Sequence, residues 1–208
     1  MGYDVSLEHP ALLLVLLAAS VVVFRWWRAD GAALARGEPL ARPLPGTGPA
    51  PARAIGLAIA GALLLVALET AGEYQLGISA EQRDVTVLFG LYTLAAAFLE
   101  ELIFRGHLVV DGRGRGPLLL SIGLASLLFA LLHPFLWAWE NGALVWLGGR
   151  KGWFSTGAVF LASLWFYTVR FWPLNPGRSL WPCIAAHGAK NLAVLAVKAA
   201  QGHVTGWW

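Results

Sequence analysis

Apolar residues run along this chain in blocks, not in alternation. Six stretches are continuous enough to predict helices: 10–27 (PALLLVLLAASVVVFRWW), 54–72, 85–104 with an extension toward 110, 117–139, 153–172 and 181–200. Each approaches the ~20 residues that cross a ~30 Å hydrocarbon core. ALVWLGG at 143–149 is too short to span and is expected at an interface. The pattern predicts an all-α, polytopic membrane bundle of about six helices, a single transmembrane domain over 1–208.

Composition agrees. Hydrophobic residues make up 58% of the 208 positions and charged ones 13%, with a mean hydropathy of +0.64. That is too apolar for an ordinary soluble domain. Eleven Trp and ten Phe suit a chain whose rings gather at headgroup level. The flank of the first run carries Asp4 and Glu8 but no Lys or Arg, unlike the basic region of a cleaved signal peptide. Cys183 is the one cysteine, so packing and not a disulfide must hold the fold, and the thiol reads as a small core hydrophobe.

The net charge of +3 changes meaning once its distribution is seen. Arg25, Arg28, Arg36, Arg42 and Arg53 cluster over 25–53, Arg105, Arg113 and Arg115 over 105–116, and Arg170 and Arg178 over 170–180. With six spans these segments share one side, which the positive-inside rule makes cytoplasmic, leaving both termini outside. This is a topology signal and not a nucleic-acid one. GEPLARPLPGTGPAPA at 37–52 reads as an extended cytoplasmic linker. GRGRG at 112–116 lacks the strand and spacing of a dinucleotide fingerprint.

The informative residues are the polar ones inside the runs: Glu69, Glu100, Glu101, Arg105, His133, His187, Lys190, Lys198 and Asn191. A charge at mid-bilayer costs from about 3 to over 10 kcal/mol, so each demands an explanation. Glu101 and Arg105 stand four apart and can pair, which orients and neutralises them. Glu100 is rotated about 100° from Glu101 and has no cation four residues on. It is the surplus carboxylate and the candidate for chemistry. His133 shares a face with Phe129, and Pro134 after it is a candidate kink. His187 and Asn191, again at i and i+4, can aim two donors at one point, as an oxyanion requires. Lys190 and Lys198 are expected to snorkel and Glu69 to be solvated at an interface.

Glu100-Glu101-x-x-x-Arg105, Phe129-x-x-x-His133 and His187-x-x-x-Asn191, in this order and each in an apolar helix, resemble the CPBP family of intramembrane proteases. That family includes the CAAX prenyl endopeptidases and bacteriocin-processing and self-immunity enzymes. The resemblance covers a catalytic core at about 85–200, after an N-terminal helix and linker at 1–53. It implies a glutamic intramembrane endopeptidase with catalytic residues on the third, fourth and last helices. Glu100 with His133 would activate a water, His187 with Asn191 would form the oxyanion hole, and Glu101, Arg105 and Phe129 would orient them. No cofactor is implied. The substrate would be a membrane-inserted or lipid-anchored protein or peptide, with a hydrophobic C-terminal tail the first expectation, and the setting a bacterial cytoplasmic membrane. The chain has no HExxH and no GxSxG.

Three other readings use the same residues. Glu100, His133 and His187 could bind zinc with Glu101 as base. The groups could form a proton relay in a transporter, although no paired broken helices mark matching halves. The protein could also be a non-catalytic scaffold. The protease reading sets a geometric condition. If the third helix stops at Arg105, Glu100 lies at the cytoplasmic edge, whereas His133 lies 17 residues into its span, about 25 Å from that edge. The third helix must therefore continue toward Val110, or the fourth must tilt or begin below the surface.

Overall fold

The computed structural model describes residues 10–133, 136–140 and 142–207. Six α-helices follow one another: α1 (Pro10–Ala35), α2 (Ala52–Gln75), α3 (Val87–Glu100), α4 (Arg115–Leu131), α5 (Arg150–Phe171) and α6 (Trp181–Ala200). α3 does not stop at Glu100. It runs on as a π-helix over Glu101–His107, closed by a bond from the Leu108 N–H back to the Ile103 carbonyl. The third helix thus continues past Arg105, as far as His107 and short of Val110.

Three helices are long and apolar enough by themselves to cross a bilayer: α1, α2, and α3 with its continuation. α4 is apolar but shorter. α5 and α6 have spanning length at 22 and 20 residues, and each carries buried polar groups, among them Ser163 and Arg170 on α5 and His187 and Lys190 on α6. The surface is apolar, with Leu14, Leu64, Leu68, Leu119, Leu120 and Leu124 exposed, while Glu101, Arg105, Ser126, Ser163 and His187 are buried. Polar residues inside and leucines outside is the arrangement hydrocarbon demands. The chain is an integral membrane helix bundle.

Small residues let the helices approach. Ala54, Ala58 and Ala62 put a buried stripe on α2. A Cβ on Gly61 would lie 2.2 Å from the Trp165 ring, and Trp165 Nε1 donates to the Ala58 carbonyl at 2.9 Å. One core cluster joins Trp27, Phe98, Leu102, Phe166, Val169 and Cys183. A second joins Phe104, Phe129, Val159 and Tyr167.

Two expectations need correction. The fourth helix ends at Leu131, not 139, and residues 137–146 form a β-hairpin: β1 (Trp137–Glu140) antiparallel to β2 (Ala143–Trp146). Gly142 in its two-residue turn has φ +77°, a conformation glycine adopts without strain. The Trp137 and Trp146 rings meet edge-on at 5.0 Å, and Trp137 Nε1 caps the Leu131 carbonyl at 2.8 Å. ALVWLGG is thus largely strand. Pro134 lies outside the described residues.

The 37–52 linker is pinned and not loose. Its Pro45 carbonyl accepts from Trp27 Nε1 at 2.9 Å, its Leu44 N–H donates to Asp30, its Gly48 carbonyl accepts from Ser179 Oγ, and its Gly46 carbonyl accepts from the Leu180 N–H. Gly46 has φ +65°, and a Cβ there would meet Leu180 at 2.6 Å. The linker therefore closes over the α5–α6 connection.

Candidate active site

The site forms where the α-to-π junction of the third helix faces α6. Glu101 and Arg105 pair as their spacing predicts, at 3.1 Å, and both side chains are fully buried. Arg105 is caged: its guanidinium carbon lies 4.5 Å from the Phe129 ring centroid, 4.9 Å from Tyr167 and 5.1 Å from Phe166. Nη2 donates to Ser163 Oγ at 2.6 Å, and Ser163 Oγ donates to Ser126 Oγ at 3.0 Å. Aromatic faces and hydroxyls here replace the water a guanidinium would otherwise keep. Phe129 also stands 4.8 Å from the His133 ring and 5.9 Å from His187.

His187 lies between the two glutamates. Its Nδ1 meets Glu101 Oε1 at 2.8 Å, and its Nε2 lies 3.6 Å from Glu100 Oε2. A carboxylate can only accept, so Nδ1 carries the proton in this bond. The ring stacks on Phe166 at 4.8 Å and 22°. Adjacent in sequence, the carboxylates reach opposite edges of one imidazole. Glu101 is spent on Arg105 and His187, while the Glu100 side chain keeps 36% of its surface exposed. Glu100 is thus the carboxylate without an arginine, and its contact is with His187.

His133 follows α4. Its Nδ1 donates to the Phe129 carbonyl at 2.8 Å, which fixes the ring and puts the lone pair of a neutral imidazole on Nε2. Asn191 Nδ2 donates to the Thr93 carbonyl at 2.9 Å, tying α6 to α3. His133, His187 and Asn191 share the wall of one cavity with Phe129, Phe166 and Lys190. Its volume, about 20 Å³ of space for a water centre, suffices for one water molecule.

Lys190 and Glu69 depart from expectation. Lys190 is buried and does not snorkel; its Nζ lies 3.4 Å from Glu69 Oε2 on α2. Glu69 is correspondingly a paired residue and not an interfacially solvated one. Opposite charges left over in two spans were a readable signal for this pair. Phe166, Ser163 and Thr93 carried no such signal, because aromatic and hydroxyl residues are ordinary in membrane helices. Lys198, at the far end of α6, bonds to Gln82 Oε1 at 3.0 Å and to the Arg83 carbonyl at 2.6 Å.

The zinc reading requires three donors to converge. Among the described residues no three His, Cys, Asp or Glu side chains do so.

The site is a buried carboxylate–imidazole array inside a membrane bundle. The family model of the Rce1-like type II CAAX prenyl endopeptidases matches residues 82–193, slightly over half of the chain. The chain belongs to this family, a family of membrane peptidases, and its substrates are accordingly membrane-associated peptides. No curated protein matches the sequence, and no solved structure matches it.

Proposed function

We propose that this protein is a glutamic intramembrane endopeptidase. The observation that carries the reading is the array Glu101–His187–Glu100 beside a one-water cavity walled by His133 and Asn191. Glu100 does not line that cavity but stands 3.6 Å from its His187 wall. In this reading a water at that edge gives its proton to the Glu100 carboxylate, assisted by the Nε2 lone pair of His133, as its oxygen attacks the scissile carbonyl carbon. The carbonyl oxygen becomes an oxyanion. Asn191 Nδ2–H and the Nε2 edge of a doubly protonated His187 face it, with Glu101 holding the Nδ1 proton. Collapse breaks the C–N bond, and Glu100 returns the proton to the leaving nitrogen. Positioned proton transfer contributes about 10²–10⁴ in rate and preorganised oxyanion donors a comparable factor.

The substrate is a membrane-inserted or lipid-anchored protein or peptide cut near a hydrophobic C-terminal tail. An apolar groove of about 250 Å³, lined by Leu108, Ser121, Leu124, Ala125 and Leu128, lies along α4 beside the site and suits a tail or lipid chain. The setting is a bacterial cytoplasmic membrane, with the Arg-rich loops inside and the N-terminus outside.

The test is cleavage of a membrane-inserted peptide library, with and without prenyl groups, by purified wild type, Glu100→Ala and His133→Ala. Wild-type cleavage lost in both variants and unaffected by EDTA is expected. Activity abolished by EDTA and restored by zinc would replace the metal-free mechanism. Equal activity in all three proteins would remove these residues from it.

A further inference from the structure

A lysine within a membrane helix ordinarily runs its stem along the apolar surface and leaves its ammonium at the interface. Lys190 does the opposite. It lies three residues after His187 and one before Asn191, so all three occupy neighbouring positions on α6. It is buried and lines the same small cavity as His133, His187 and Asn191. Glu69 reaches across from α2 to stand 3.4 Å from its Nζ, and among the described residues it is the carboxylate paired with Lys190.

A clasp that merely joined α2 to α6 would have no reason to face the cavity. An ammonium carries three donors, and Glu69 stands at ion-pair distance from this one without a hydrogen bond to it. Charge-assisted bonds are about twice as strong as neutral ones, and a fixed cation is worth most where negative charge develops away from water. We propose that Lys190 is a further catalytic donor, giving an N–H to the oxyanion beside Asn191, and that Glu69 is the positioning residue that holds its Nζ there. This rests on the peptidase reading of the site. A role in binding the free carboxylate of a tail fits less well. With about 3.3–3.6 Å per extended residue, a terminus two or three residues beyond the scissile bond stands roughly 7–10 Å away, outside a one-water cavity.

The test uses the full chain reconstituted in lipid vesicles, a hydrophobic-tail peptide that the wild type cleaves, and the phosphinate isostere of that peptide as a tetrahedral mimic. Lys190→Met is expected to lower kcat by about 10²–10³ with KM changed less than about threefold. Phosphinate affinity should fall with kcat/KM while affinity for the uncleaved ketomethylene analogue holds. Because Lys190→Met leaves Glu69 with an orphaned charge, the deciding variant is the double Glu69→Leu/Lys190→Met, which removes both charges. It should fold with a Tm near wild type and show the same loss of kcat and of phosphinate affinity as the single variant. Wild-type kcat in the double variant overturns the assignment, and so does failure of the double variant to fold, which makes the pair a structural cross-link. Failure of the underlying reading looks different: an inactive wild type, or a Glu100→Gln variant that still cleaves, removes the peptidase mechanism and this inference with it.

Discussion

Two buried carboxylates in this bundle meet cations, and they are treated differently. Glu73, on α2, is closed on all sides: Lys151 from α5 pairs with Oε1, and Gln82 Nε2 donates to Oε2 at 2.5 Å. Glu101 meets Arg105 and His187 through Oε1, while its Oε2 and the Arg105 Nε have no hydrogen-bond partner among the described residues. The Glu73 cluster spends each polar atom on holding helices together. The Glu101 cluster accepts unsatisfied atoms in order to hold an imidazole at a fixed angle. Burial of charge alone therefore does not mark the candidate site, and incomplete pairing does not mark it uniquely, since the buried Arg170 also has unpartnered Nε and Nη1 atoms among the described residues.

The widest separation of the two clusters should appear in activity. Glu100→Gln is expected to lower peptide cleavage by about 10²–10⁴ while thermal unfolding followed by circular dichroism stays near wild type, since this side chain is partly exposed. Arg105→Ala should cost about 3–5 kcal/mol of stability, because it leaves Glu101 as an uncompensated buried charge. Steric-trap or denaturant unfolding in detergent reads that loss, and a stable Arg105→Ala would mean the cage of aromatic rings is dispensable. Glu73→Ala should cost about 1–3 kcal/mol and leave kcat per folded molecule unchanged; a fall in kcat would erase the distinction between the clusters. Ser163→Ala removes one charge-assisted bond to Arg105, for about 1–2 kcal/mol.

The smallest effect concerns the exposed pair between Asp111 and Arg178. The Arg178 hydrogen bond, with help from the Gly112 N–H, holds the Asp111 carboxyl below its ordinary value. A carboxylate whose folded value is depressed adds stability that is present above the unfolded value and is lost as pH falls through the folded one. Wild type should thus lose a slight increment below about pH 4, on the ordinary carboxylate scale, that Asp111→Asn never had. Titrated Tm values of the two proteins would converge in acid.

Much of this could be read from residue order. Block hydrophobicity located six helices, and the four-residue spacing of Glu101 and Arg105 announced their pair, because both signals are local. The hairpin was legible too, in Asn141-Gly142 between Trp-rich segments, but the long apolar run hid it as helix. What residue order could not supply was the partner of each imidazole. Whether His187 turns toward Glu101 or Asn191 depends on how α6 lies against the π-turn, and adjacent positions become opposite edges of a ring only in three dimensions. Glu69 and Lys190 fell between these cases. Their charges suggested a match, but 120 intervening positions gave no register between the two helices.

The pairing of Glu101 with Arg105 inside a single helix also bears on biogenesis. His187 arrives 86 residues after Glu101, so the third helix is synthesised before its imidazole partner. An arginine one turn away lets that carboxylate travel with its own counter-charge, and the newborn segment needs no other helix to shield it. The Glu101–His187–Glu100 array is completed only when α6 follows the third helix into the bundle.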